Sequence, residues 1–272
     1  EYRGEKLREK LESIFSTGKI HSVLYSNPNN PTWVCLTDEE LKIIGELANK
    51  YDVIILEDLA YFGMDFRKDY SHPGVAPFQP TVGKYTDNYI LMLSTSKAFS
   101  YAGERCAVLG ISNKLAERRY PDLKEFCGQE IFARGIIFGA LHPLSSGTSH
   151  SAQYAVAGVM KAVNDGTYNY RDDVLEYGEK AKLMKDAFTS NGFEFTYSED
   201  LGEPIADGFY FTYYYPGFTG AELLEKMLYY GISAISLDTC GSTRQGIRAC
   251  TSLIKRDEIP VLAERLKRFA ED

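Results

Sequence analysis

Much of what would point this 272-residue sequence toward a simple functional class is scarce or missing. Its five cysteines (Cys35, Cys106, Cys127, Cys240 and Cys250) are scattered, odd in number and without a C-x-x-C pair. That excludes a disulfide framework and a thiolate zinc site and fits a reducing compartment, the cytoplasm. All five are read as small buried hydrophobes. The four histidines show no H-x-x-x-H spacing, so no metal centre is expected. Lysine and arginine (30) are outnumbered by aspartate and glutamate (38), giving a net charge of −8 without a basic cluster, which argues against a nucleic-acid surface. Residues 135–160 hold no charged side chain, yet Pro143 and "SSGTSHS" leave only "GIIFGAL" continuously apolar, too short to span a membrane. No signal peptide, internal repeat or G-x-x-x-x-G-K phosphate loop is visible. The first methionine is Met64, so the native N-terminus is expected to be missing.

The chain that remains reads as alternating strands and helices, the signature of an α/β sheet. "HSVLYSNP" is a short buried strand ending in a turn, and "DVIILED", "YILMLST" and "CAVLGI" are apolar runs suited to a sheet covered on both faces. "TDEELKIIGELANKY" predicts a helix with a capping box between Thr37 and Glu40. From about residue 151 a long helical region leads to the aromatic-rich strands "GFEFTYS" and "GFYFTYYY". A second capped helix (Thr219, Glu222) ends at Gly231, and the strand "QGIRACTS" precedes a closing helix. The tyrosines at 213–215, 229 and 230 are read as core and interface aromatics. The expected architecture is a three-layer sheet of mostly parallel strands over 1–165, a connecting helix over 166–190 and a smaller α+β domain over 191–272.

In open α/β sheets ligands bind beyond the carboxyl ends of the strands. There the sequence collects Asn27, Asn29 and Asn30 after the first strand, Asp58 and Tyr61 after the second, and Ser94, Ser96 and Lys97 after the third, with Arg105 eight residues on. Singly each has a plain explanation: turn asparagines, a turn acid, a core phenol, helix-capping serines, a surface lysine, an arginine paired with Glu104. Jointly an amine, a carboxylate, donors and a guanidinium in this order suit a cofactor with an aldehyde, a pyridine nitrogen, a phenolate and a phosphate.

The stretch closely resembles the class I/II aminotransferases of pyridoxal 5'-phosphate (PLP) fold type I. "NPNNPT" is similar to the family's N-P-x-N-P-T-G turn, "EDLAY" to its D-x-x-Y motif and "STSKAFSYAGERCAVLG" to its S-x-S-K…G-x-R-x-G signature. The resemblance implies a Schiff base on Lys97, which also moves the proton from the substrate's Cα, and Asp58 at the pyridine nitrogen. It implies Tyr61 and Asn30 at the phenolate oxygen and Ser94, Ser96 and Arg105 at the phosphate. Arg248 in "GIRACTS" takes the place of the arginine that, with Asn30, receives the substrate's carboxylate. Transamination between an amino acid and a 2-oxo acid in a homodimer is the activity implied. A PLP-dependent β-lyase or decarboxylase, a PLP-sensing regulator domain and an inactive fragment are the alternatives.

Two departures stand out. Trp33 replaces the glycine after N-P-T, so that turn is expected to adopt another backbone angle, and "SLDTCGS" (236–242) replaces a P-G-x-x-F-G segment. The resemblance also covers only about the last two thirds of a family member. Without the upstream phosphate-binding helix N-terminus and ring-stacking aromatic, the isolated chain is expected to hold PLP weakly. Tight stoichiometric retention would contradict that. "STSK" also matches the S-x-x-K of serine β-lactamases, but neither S-D-N nor K-T-G follows.

Overall fold

The computed structural model describes residues 2–70 and 72–272, which form two compact units. The first comprises residues 2–27, Leu36–Phe62 and 72–169; the second comprises Pro28–Cys35, Gly63–Tyr70 and Tyr170–Asp272.

The first unit is built on a four-stranded sheet in the order β1 (Ser22–Ser26), β2 (Ile54–Asp58), β3 (Tyr89–Ser94) and β4 (Ala107–Ile111). The first three strands run parallel and β4 returns antiparallel to β3, so the sheet is mainly parallel, as the alternating pattern predicts. Helix Asp38–Tyr51 buries Leu41, Ile44, Leu47 and Ala48 in one core with Val53 and Ile55 of the β2 segment. On the face away from that helix Leu24 is 64% exposed, and Leu109 of β4 is also exposed.

That helix starts as predicted. The Thr37 hydroxyl accepts the Glu40 N–H, and the Glu40 carboxylate accepts the Thr37 N–H (2.9 Å). Glu40 also receives the Arg3 guanidinium (2.7 and 2.8 Å) and the Gly4 N–H (2.8 Å). Burial by itself would raise its pKa, but the Arg3 bonds and the Thr37 and Gly4 amides outweigh burial and bring it down to about 2. A carboxylate depressed from 4.5 stabilises the fold fully above that value and loses the contribution as pH falls toward 2. Urea unfolding followed by far-ultraviolet circular dichroism should show that loss on acidification, and Glu40→Gln should remove it. An unchanged acid limb in the variant would contradict this.

The second unit carries an antiparallel sheet. Its strands are β5 (Glu194–Phe195), β8 (Tyr210–Tyr214), β10 (Ile247–Cys250) and β9 (Ile235–Ser236), in that spatial order, beside the two-stranded ribbon β6 (Glu199–Asp200) and β7 (Glu203–Pro204). Helices Tyr170–Thr189, Gly220–Tyr229 and Ile259–Glu271 contribute to its core. The capping box at Thr219 and Glu222 is formed as predicted. The long helical region is two helices, His150–Asn164 and Tyr170–Thr189, separated at Gly166, whose φ of 70° a helix cannot contain. Tyr170–Thr189 packs into the second unit because Val174, Ala181, Met184 and Phe188 form its buried stripe.

Other sequence expectations need correction. Cys35 and Cys106 are buried, but Cys127 and Cys240 are half-buried and Cys250 is exposed, one residue before a fully enclosed Thr251. Of the tyrosines read as core and interface aromatics, Tyr213 is a core residue and Tyr229 is 81% exposed, as an interface residue is in a single chain.

Candidate active site

In the first unit the carboxyl ends of β2 and β3 lie side by side, with Asp58 in register with Met92. Asp58 closes β2, and its Oδ1 accepts the Ala60 N–H (2.9 Å), which makes it a turn acid with a second carboxylate oxygen left over. Three residues on, Tyr61 is buried. Lys97 lies in the short helix Thr95–Ala98 directly after β3, and its Nζ sits 5.9 Å from the centroid of the Tyr61 ring. Asp58, Tyr61 and Lys97 therefore share one end of the sheet.

The same end gathers the expected phosphate ligands. Ser94 caps the short helix by accepting the Ser96 N–H (3.2 Å), which still leaves the Ser94 hydroxyl proton free to donate. Arg105 stands two residues before Ala107, and Ala107 is the register partner of Ser94. Its Nη1 donates to the Ala102 carbonyl (2.8 Å) rather than to Glu104, and its φ of 52° is left-handed. Thr95, which sequence reasoning passed over between two serines, ties these segments together. Its hydroxyl donates to the Cys106 carbonyl (2.6 Å), joining the lysine helix to the strand that follows Arg105.

Asn30 and Arg248 belong to the second unit, where the structure brings them together. Arg248 Nη1 donates to Asn30 Oδ1 (2.7 Å), and the guanidinium carbon lies 4.0 Å from the Tyr210 ring centroid. Arg248 Nε is buried without a partner, an arrangement that favours an incoming carboxylate.

Trp33 corrects the expectation for its turn. Its φ is 59°, the left-handed angle that glycine tolerates and a bulky side chain resists. The indole outweighs that resistance by being fully buried. Its Nε1 donates to the Met64 carbonyl (3.1 Å), and its ring stacks on Phe209 (6.4 Å between centroids, 6° between planes) and meets Tyr210 edge-on. The residue read as a departure therefore braces the tyrosine beneath Arg248.

A mainly parallel sheet with an amine, a carboxylate and a phenol at the carboxyl ends of adjacent strands defines an α/β cofactor-binding domain. The profile of the family described as aminotransferase class I and II matches residues 3–266, and the chain belongs to that family, whose members are PLP-dependent. Among curated relatives it is 28% identical over 111 residues to a probable aspartate aminotransferase of Methanocaldococcus jannaschii, covering 41% of this chain and 26% of that protein. It is 25% identical over 130 residues to a cystathionine beta-lyase of Corynebacterium glutamicum, covering 47% and 33%. The fold is that of Thermus thermophilus aspartate aminotransferase (TM-score 0.68, 17% identity, 97% of this chain and 62% of that one). It is also that of YbdL from Escherichia coli, a protein with a methionine aminotransferase function (TM-score 0.71, 14% identity, 95% and 62%). The chain spans 62% of these solved chains and about a quarter to a third of these curated relatives.

Proposed function

We propose that this chain carries the lysine-bearing part of a PLP-dependent aminotransferase that moves an amino group between an amino acid and a 2-oxo acid. The observation that carries the reading is the meeting of Lys97, Tyr61 and Asp58 at the ends of two adjacent parallel strands. The donor set fits the cofactor group by group, and the unpartnered Arg248 Nε fits an anionic substrate.

When bound, PLP supplies an aldehyde and an electron-accepting pyridine ring. Lys97 Nζ would hold the cofactor at its aldehyde, with water as the leaving group, and would carry the proton taken from the substrate's Cα. The free Asp58 oxygen holds the ring N–H through a charge-assisted bond. The Tyr61 hydroxyl would donate to the phenolate oxygen; the resemblance alone assigns the Asn30 amide N–H to the same atom, and Asn30 Oδ1 is engaged by Arg248. Ser94, Ser96 and Arg105 hold the phosphate, and Arg248 binds the substrate's carboxylate. A cytoplasmic homodimer belongs to the same reading. Among the described residues no helix is long and apolar enough to cross a membrane.

The similarity to a cystathionine beta-lyase supports a second reading, β-elimination at the same residues. The two separate by product. Conversion of bound cofactor to its amine form by glutamate or aspartate supports transamination, whereas pyruvate and ammonia released from a cysteine-type substrate point to the lyase.

A further inference from the structure

Next to Asp58, but directed to the helix-covered face of the sheet, Glu57 is fully buried. Its Oε2 accepts the Val82 N–H (2.8 Å) and its Oε1 accepts Asn27 Nδ2 (3.2 Å). Among the described residues no cation pairs with it, and burial pushes its pKa up to about 7 against these two bonds. An unpaired carboxylate in a sheet core is unfavourable, and an apolar side chain would fill the place more stably. What it does there follows from Asn27.

Asn27 is itself buried, and every polar atom it has is engaged. Its backbone N–H donates to the Asp58 carbonyl (3.0 Å), and its own carbonyl accepts Gln79 Nε2 (3.2 Å). Its Oδ1 accepts the Leu36 N–H (3.1 Å), while Nδ2 goes to Glu57. Asn27 and Leu36 are the residues on either side of the Pro28–Cys35 segment, which carries Asn30. Asn27 therefore clasps together the two ends of the Asn30 segment with its side-chain amide, while its backbone N–H holds the last peptide of the strand that presents Asp58.

We propose that Glu57 is a positioning residue, which through Asn27 sets the base of the Asn30 segment and the end of β2 that bears Asp58. Only a group with two acceptors serves. A glutamine in place of Glu57 would keep the Val82 bond but turn an NH2 toward the NH2 of Asn27. Asn27 cannot rotate its amide in reply, because its oxygen holds Leu36.

That polarity makes the proposal testable by a swap. Glu57→Gln alone should speed hydrogen exchange at the Leu36 amide at least tenfold without cofactor, and weaken PLP binding, read by absorbance titration, by about tenfold. Combining Glu57→Gln with Asn27→Asp restores every bond, because the introduced amide donates to one oxygen of the introduced carboxylate while the other oxygen keeps Leu36. The pair should return both quantities to within about threefold of the unsubstituted protein. Unchanged PLP affinity in Glu57→Gln would overturn the proposal. So would a double variant that recovers Leu36 protection but not affinity, because the clasp would then be structural only. The cofactor readout rests on the function proposed above. If the unsubstituted protein takes up no PLP even with the cofactor in large excess, that reading fails and the positioning role falls with it. Fast Leu36 exchange in unsubstituted protein that does bind PLP would condemn the clasp alone.

Discussion

Replacing Lys97 with alanine should abolish amino-group transfer, lowering turnover by about 10⁴-fold or more, because in the proposed function one nitrogen would serve as both nucleophile and proton carrier. None of the groups gathered at that end of the sheet can substitute. Tyr61 and Asp58 are placed for hydrogen bonding, and the Arg105 guanidinium does not condense with an aldehyde. Lys97→Arg should fail equally, since a guanidinium keeps the charge but neither condenses with an aldehyde nor acts as a base. The measurement is the absorbance of protein mixed with PLP, before and after glutamate. With PLP in large excess, the unsubstituted protein should show a bound chromophore that glutamate converts, and both variants should show neither change. A Lys97→Ala protein that still converts with glutamate at an undiminished rate would remove the lysine from the reaction and leave the residues around it without their assigned roles.

Phe188→Ala should destabilise the second unit by about 3–5 kcal/mol, the range for emptying a large aromatic site in a packed core. Phe188 is 1% exposed at the centre of the core formed by Phe193, Phe211, Tyr213 and Phe269. It meets Phe193 edge-on at 5.2 Å, Phe211 edge-on at 5.6 Å and Tyr213 at 4.0 Å between centroids. These neighbours lie on a strand, a helix and a loop, so no single rotamer change fills the space. The chain's only tryptophan, Trp33, lies in the same unit and stacks on Phe209, so its fluorescence reports that unit's unfolding. A urea midpoint displaced by less than about 1 kcal/mol equivalent would show that the ring cluster contributes little.

Both predictions began as local patterns, but they were legible to different degrees. Lys97, Asp58 and Tyr61 could be picked out because each follows an apolar run directly, and a parallel sheet brings such ends to one rim. Arg105 could be named, but its hydrogen bond to Ala102 instead of a pairing with Glu104 depends on the left-handed turn before β4. Glu57 was passed over as the residue before Asp58. In a strand, neighbouring side chains face opposite ways, and only the packed helix shows which face is sealed. Trp33 was noticed as a replaced glycine but misjudged, because the burial that sustains its angle comes from Phe209 and Tyr210, more than 170 residues away.

Taken by itself, the order of residues determined the elements and their caps. It also determined which strand ends carry an amine, a carboxylate and hydroxyls, because hydrophobic period, capping and turn chemistry act over a few neighbouring positions. The tertiary structure alone decided that residues 28–35 and 63–70 leave the first unit for the second, that Arg248 rests on Tyr210 beside Asn30, and that a carboxylate is sealed beneath the sheet next to Asp58. Those outcomes depend on contacts between distant segments, whose energies no local window contains.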